Sequence, residues 1–352
     1  MNYIDLEQRG WQIGAPMVDR DTEWRDLADI GEEGETNFDK AKSVFKNFKI
    51  DSPQLLEKMF ENDFRLTKIA KLVKDKDQLA KVKAALLENY EYIKNTYLYL
   101  SFDSHYPCIN QQDYIYWTQC CAFLDKAHVQ QAELDTQVIA STFKTDLSKR
   151  IECAKGEVLR FEFLEVVFRL AQLCYKHEIK DDSAAGSNSR SKKKKGGKLY
   201  LFQAISKLMK EHIMPSVVGV ANTTEFKMEH LYTFKVNQYM ERNEGTFKRI
   251  HSEYNIAGKS CMTPNDALHF VKQIGGLTFI ADRIIMCMYG LSKQSTIDYL
   301  KTPTFPKELY FMEFYEFFAQ IAHYTFSFKP EDKYDELQLF EHIDALLAHY
   351  CK

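Results

Sequence analysis

The sequence predicts an all-α, mainly helical protein built as two tandem lobes, with at most minimal β pairing between loops. Three observations carry that expectation. Apolar residues recur at helical spacing, as in Leu86, Tyr90, Ile93, Tyr97 and Leu100, in Leu164, Phe168, Ala171 and Tyr175, and in Phe314, Phe317, Phe318, Ile321 and Ala322. Glycine (14) and proline (8) are too scarce for a turn-rich β fold. One stretch of the chain repeats another at a fixed offset, which points to a duplicated unit.

In chain order, residues 1–37 are polar and acidic, broken by Trp11 and Trp24, and read as an extended tail. Residues 38–180 form the first expected lobe. Residues 181–198 (DDSAAGSNSRSKKKKGGK) hold too little apolar surface to offset the entropy of ordering and read as a disordered linker. The cluster Lys192 to Lys195 reads as a solvated part of it. Residues 199–352 form the second lobe.

Composition narrows the function classes. Hydrophobic residues make up 45% of the chain, and 25 Phe and 20 Tyr supply large apolar faces for cores or recognition grooves. Forty-seven basic residues against 50 acidic ones leave no basic excess, so a nucleic-acid partner is not expected. No apolar run approaches membrane-spanning length, and no membrane partner is expected. The eight cysteines form no C-x-x-C pair, and several lie in apolar helical runs. The expectation is a reducing, cytoplasmic setting without a disulfide framework.

The repeat aligns Val158–Glu165 (VLRFEFLE) with Leu309–Glu316 (LYFMEFYE) at an offset of 151 residues, pairing Glu162 with Glu313, Phe163 with Phe314 and Glu165 with Glu316. Leu147-Ser148-Lys149 precedes the first copy and Leu291-Ser292-Lys293 the second. An apolar residue four positions before an acidic one, followed by Phe, is the spacing of an EF-hand loop. There, position 8 pairs with the partner loop, and a carboxylate at position 12 of the 12-residue loop closes the calcium shell. Gly156 falls at position 6, where a sharp turn needs a residue without Cβ. Upstream, Ile109 and Asp113 take positions 8 and 12 of a loop at 102–113, and Met262 and Asp266 those of a loop at 255–266.

This arrangement resembles the EF-hand superfamily, and within it the divergent two-lobed EF-hand-like proteins of protist cilia. The resemblance rests on the runs at 159–171 and 313–322 and spans about 85 to 348. It implies a cytoskeletal setting, in a cilium or axoneme.

Calcium coordination needs oxygen donors at positions 1, 3 and 5 as well as 12. The loop at 151–162 offers Ile151, Cys153 and Lys155, the loop at 102–113 Phe102, Ser104 and Tyr106, and the loop at 255–266 Asn255, Ala257 and Lys259. Seven extra residues, with Pro303 and Pro306, interrupt the fourth. No cofactor is expected, and Glu162 is the one candidate metal ligand. No H-E-x-x-H, G-x-G-x-x-G, Walker A or G-x-S-x-G signature appears, so no enzyme is expected. The expected function is a scaffold whose lobes take helices or extended segments of protein partners, lined by Phe163, Val167, Leu170, Phe314, Phe317 and Ile321. The alternative is a calcium sensor or buffer with one surviving site at Glu162.

Overall fold

A computed structural model describes residues 38–49, 51–103, 107–125, 128–142, 156–179, 199–216, 226–255, 260–274, 277, 279–302, 304–327 and 338–350. The expected tail at 1–37, the linker at 181–198 with its lysine cluster, and the tripeptide Leu147-Ser148-Lys149 lie outside this set. The described chain is mainly helical, with a single two-stranded sheet, as its sequence periodicity predicts. It forms two units: Pro53–Val217, and the described part of Met1–Ser52 together with Val218–Lys352.

The Pro53–Val217 unit begins with helices α1 (Pro53–Leu66), α2 (Ile69–Leu72) and α3 (Lys76–Glu88). Two helix–loop–helix segments follow: α4 (Tyr90–Asp103) with α5 (Gln111–Cys120), and α6 (Gln131–Ser141) with α7 (Arg160–Cys174). Their loops meet in one antiparallel bridge, Ile109 with Val158, made by reciprocal N–H···O=C bonds of 2.9 Å. Gly156, two residues before Val158, has φ +93°, a left-handed conformation that side chains with Cβ adopt at a cost. The unit closes with α8 (Leu201–Leu208), which runs through a π turn (Met209–Ile213) into α9 (Met214–Ser216).

The second unit has the same plan. A π turn (Lys227–Leu231) and α10 (Phe234–Arg242) lead to α11 (Glu244–Glu253), β1 (Cys261–Met262) and α12 (Pro264–Gln273). The second helix–loop–helix is α13 (Asp282–Leu291), β2 (Leu309–Tyr310) and α14 (Phe311–Ser327), and α15 (Leu339–Tyr350) packs on α14 and α10. β1 and β2 are antiparallel, with Met262 opposite Leu309 and Cys261 opposite Tyr310. Helix α12 starts on a capping box: Thr263 Oγ1 accepts from the Asp266 amide (3.3 Å) and Asp266 Oδ2 from the Thr263 amide (2.8 Å). Thr263→Ala should therefore lower the stability of this unit by about 1 kcal/mol, read as a shift of urea midpoint at unchanged m.

The division between units departs from the one expected at 181–198. Residues after that stretch belong with the first half, and residues 38–52 with the second. The reason is burial. α8 and its π turn have an amphipathic face of Ala204, Ile205, Leu208, Met209 and Ile213, fully buried, and α8 packs on α3 and α7. Polar contacts fix its direction: Tyr175 donates to Glu211 (3.0 Å), and the His212 ring meets the Cys121 carbonyl at 2.8 Å. Likewise, the Val44 amide donates to Asn237 (2.8 Å) and Ser295 to Asp51 (3.0 Å), and Phe45 and Phe48 are buried.

Cysteine usage also departs from expectation at one position. Cys120, Cys121, Cys174, Cys261 and Cys287 are free thiols, four of them buried. Cys108 is disulfide-bonded, and none of these five is its partner. Spacing rules search for local pairs, and a bridge to a residue distant in sequence leaves no such mark. Among the described residues, no helix is long and apolar enough to cross a membrane.

Candidate functional site

The carboxylates at the loop ends are the natural candidates for cation ligands, and the fold spends them on the chain itself. Glu162 is 3% exposed and lies in the first turn of α7. Leu159 at the N-cap has no side-chain acceptor, so Glu162 reaches back and accepts from the Leu159 amide at 2.9 Å. Asp266 does the same for Thr263 on α12. Glu313, fully buried at the start of α14, accepts from the Tyr310 amide at 2.9 Å, the Gln294 amide at 2.8 Å and the Lys293 ammonium. Positions 1, 3 and 5 of the loop ending at Glu162 lie outside the described residues. Among the described residues, no group of three or more His, Cys, Asp or Glu is placed to hold a metal ion.

The second glutamate of the repeat is buried in both units. Glu165 accepts from the Lys68 amide (2.7 Å) and pairs with Arg169 (2.8 Å). Glu316 pairs with Lys227 at 3.1 Å and accepts from Gln320 at 3.0 Å. Lys227 in turn lies 5.0 Å above the Phe48 ring. Burial outweighs Lys227 and raises the Glu316 carboxyl to about 7. The Pro53–Val217 unit has a further buried pair: the Arg160 guanidinium grips Asp63 with Nε at 2.6 Å and Nη2 at 2.9 Å, while Tyr90 donates to the same carboxylate at 2.5 Å.

A second polar cluster lies in the other unit. His230, His323 and His342, from the π turn, α14 and α15, form a row with ring centroids 5.9 and 5.8 Å apart, flanked by Phe226 and Phe326. Burial, with His230 and His342 acting in the same direction, lowers the His323 imidazole to about 3.

The six expected groove residues do not line a groove. Phe163, Val167, Leu170, Phe314, Phe317 and Ile321 are all 0% exposed. The correction has a plain cause: the chain covers those helices with its own elements. α8 covers α7 in one unit, and α15 covers α14 in the other. Phe163 packs against Trp117 (5.1 Å) and Phe314 against Phe270 (5.6 Å), within aromatic cores.

Sequence reading missed the buried bases Lys227, Arg160 and Lys293. Only Lys293 left a signal, as the last residue of the repeated Leu-Ser-Lys tripeptide. The comparisons add no relative: no family model, no curated protein and no solved structure matches the chain.

Proposed function

We propose that this chain is a non-enzymatic, calcium-independent scaffold of two degenerate EF-hand-type lobes. One observation carries the reading. In both units two helix–loop–helix segments join through antiparallel pairing at the position-8 residues, Ile109 with Val158 and Met262 with Leu309, while the loop-end carboxylates Glu162, Asp266 and Glu313 bond their own chain. The framework that positions a calcium loop is kept, and the ligands work as helix caps. Buried acids of a kind that other folds use in catalysis are committed here to internal bases, as in Asp63 with Arg160 and Glu316 with Lys227.

Partners in this reading are proteins that dock on the outer faces of the units, because the inner helices are already covered. A cytoskeletal or ciliary place follows from the resemblance in the loop and exit-helix runs. The experiment is thermal melting of the full chain in millimolar calcium against EGTA. A ligand that binds only the folded state raises its melting temperature, so the expected result is the same midpoint in both. A clear rise in calcium that is lost in Glu162→Gln would establish the sensor alternative instead.

A further inference from the structure

Lys293 meets a loop-end carboxylate and a loop carbonyl together. Its side chain is 5% exposed. Its ammonium donates to the Glu313 carboxylate and to the backbone carbonyl of Glu308. Glu313 stands at position 12 of the fourth loop, and Glu308, five residues earlier, at position 7. Those two positions supply the side-chain and main-chain oxygens of a bound calcium ion. Two rings complete the surroundings, with Phe305 4.6 Å and Tyr310 5.4 Å from Nζ to ring centroid, faces that favour a cation. The Glu308 carboxylate is also near, accepting from the Tyr310 hydroxyl at 2.9 Å.

We propose that the Lys293 ammonium is a tethered replacement for the divalent cation of the fourth loop, holding that loop permanently in its cation-loaded arrangement. The proposal rests on the EF-hand reading above. It explains why a loop lengthened by seven residues, with prolines in the insertion, still delivers Leu309 to pair with Met262. An ordinary loop needs a free ion to draw positions 7 and 12 together. Here the chain brings its own positive charge from just beyond the end of α13. A tethered ammonium has no dissociation constant, so the unit cannot be unloaded by chelation. The same charge repels a second cation from the seat.

The test removes the tether and asks whether a free cation takes its place. Lys293→Ala is compared with the wild type and with Lys293→Ala/Glu313→Gln, using terbium as the probe and luminescence sensitised by Tyr310 as the readout. Expected is saturable luminescence at one ion per chain in Lys293→Ala, at least tenfold above wild type, competed by calcium and lost in the double variant. Melting of Lys293→Ala should rise in calcium by roughly 5 °C, with no change in the wild type. If Lys293→Ala does not fold alone, calcium added to the unfolded chain should restore its helical signal, and should have no such effect on the double variant, which lacks the Glu313 carboxylate. Luminescence in Lys293→Ala no greater than in the wild type, or an unfolded Lys293→Ala that calcium leaves unfolded, would overturn the proposal. Calcium stabilisation of the wild type lost in Glu162→Gln but kept in Glu313→Gln would instead overturn the calcium-independent reading and leave the Lys293 seat to be judged by the variants alone.

Discussion

Asp63→Ala should destabilise the Pro53–Val217 unit by about 3–5 kcal/mol, the largest loss expected from a single polar substitution in this chain. Asp63 is fully buried and Arg160 only 6% exposed. Water therefore cannot replace the carboxylate, and the variant removes from the buried Arg160 guanidinium the charge and both oxygens that Asp63 supplies. Tyr90 loses an acceptor in the same step. The pair joins α1 to the start of α7, so its loss also loosens the entry to the exit helix of the second loop. Urea unfolding followed by Trp117 fluorescence would measure it, since Trp117 is buried in this unit against Phe163 and Phe123. The double variant Asp63→Leu/Arg160→Met removes both charges and should recover most of the stability, because replacing a buried pair by apolar groups is near neutral. A loss below about 1 kcal/mol in Asp63→Ala would show that the pair contributes no more than an exposed one.

The second large effect is a pH dependence in the other unit. His323 in the folded chain takes a proton only near pH 3, against an ordinary value of 6.5. The unfolded chain therefore binds the proton first. The contribution of neutral His323 to stability is complete above pH 6.5 and is lost as the pH falls toward 3. At about 1.4 kcal/mol per pKa unit, the loss between pH 7.5 and 5 is about 2 kcal/mol.

Glu316 on the same helix acts with the opposite sign. Its carboxyl is raised to about 7 from 4.5, so the folded chain takes up that proton first and gains stability as the pH falls from 7 toward 4.5. The two oppose each other in the wild-type curve, where His251, its imidazole also lowered by burial, adds to the loss on the acid side, so a pH profile of the wild type alone isolates neither. The difference between His323→Leu and wild type isolates the imidazole. The leucine variant should gain about 2 kcal/mol relative to wild type between pH 7.5 and 5, measured by urea midpoints at each pH. Parallel profiles for the two proteins would show that His323 does not titrate differently on folding.

Much of the plan was written in one-dimensional patterns. The 3.6-residue spacing of large apolar side chains is a local property, and the helices Arg160–Cys174 and Phe311–Ser327 sit where it places them. The spacing from an apolar residue to an acidic one four positions on located both loop pairings, because strand contact and helix capping are each decided within a few residues. Gly156 fell where a left-handed turn was needed for the same local reason.

Tertiary structure alone decided the rest. Whether an aromatic face lines a groove or a core depends on what covers it. Phe163 and Phe314 are core because helices Leu201–Leu208 and Leu339–Tyr350 return across the exit helices, a long-range choice with no trace in local spacing. The same return moved the boundary between units away from the polar stretch at 181–198, since hydrophobic burial, and not linker composition, determines which segments belong together. Buried bases are the clearest case. Sequence showed Glu162 as the one candidate for a cation and set Glu313 aside because seven extra residues interrupt its loop. Only the folded chain gave Glu162 the amide of its own helix start and Glu313 the ammonium of Lys293, twenty residues away, because a charge in the interior must find its partner wherever the fold brings one.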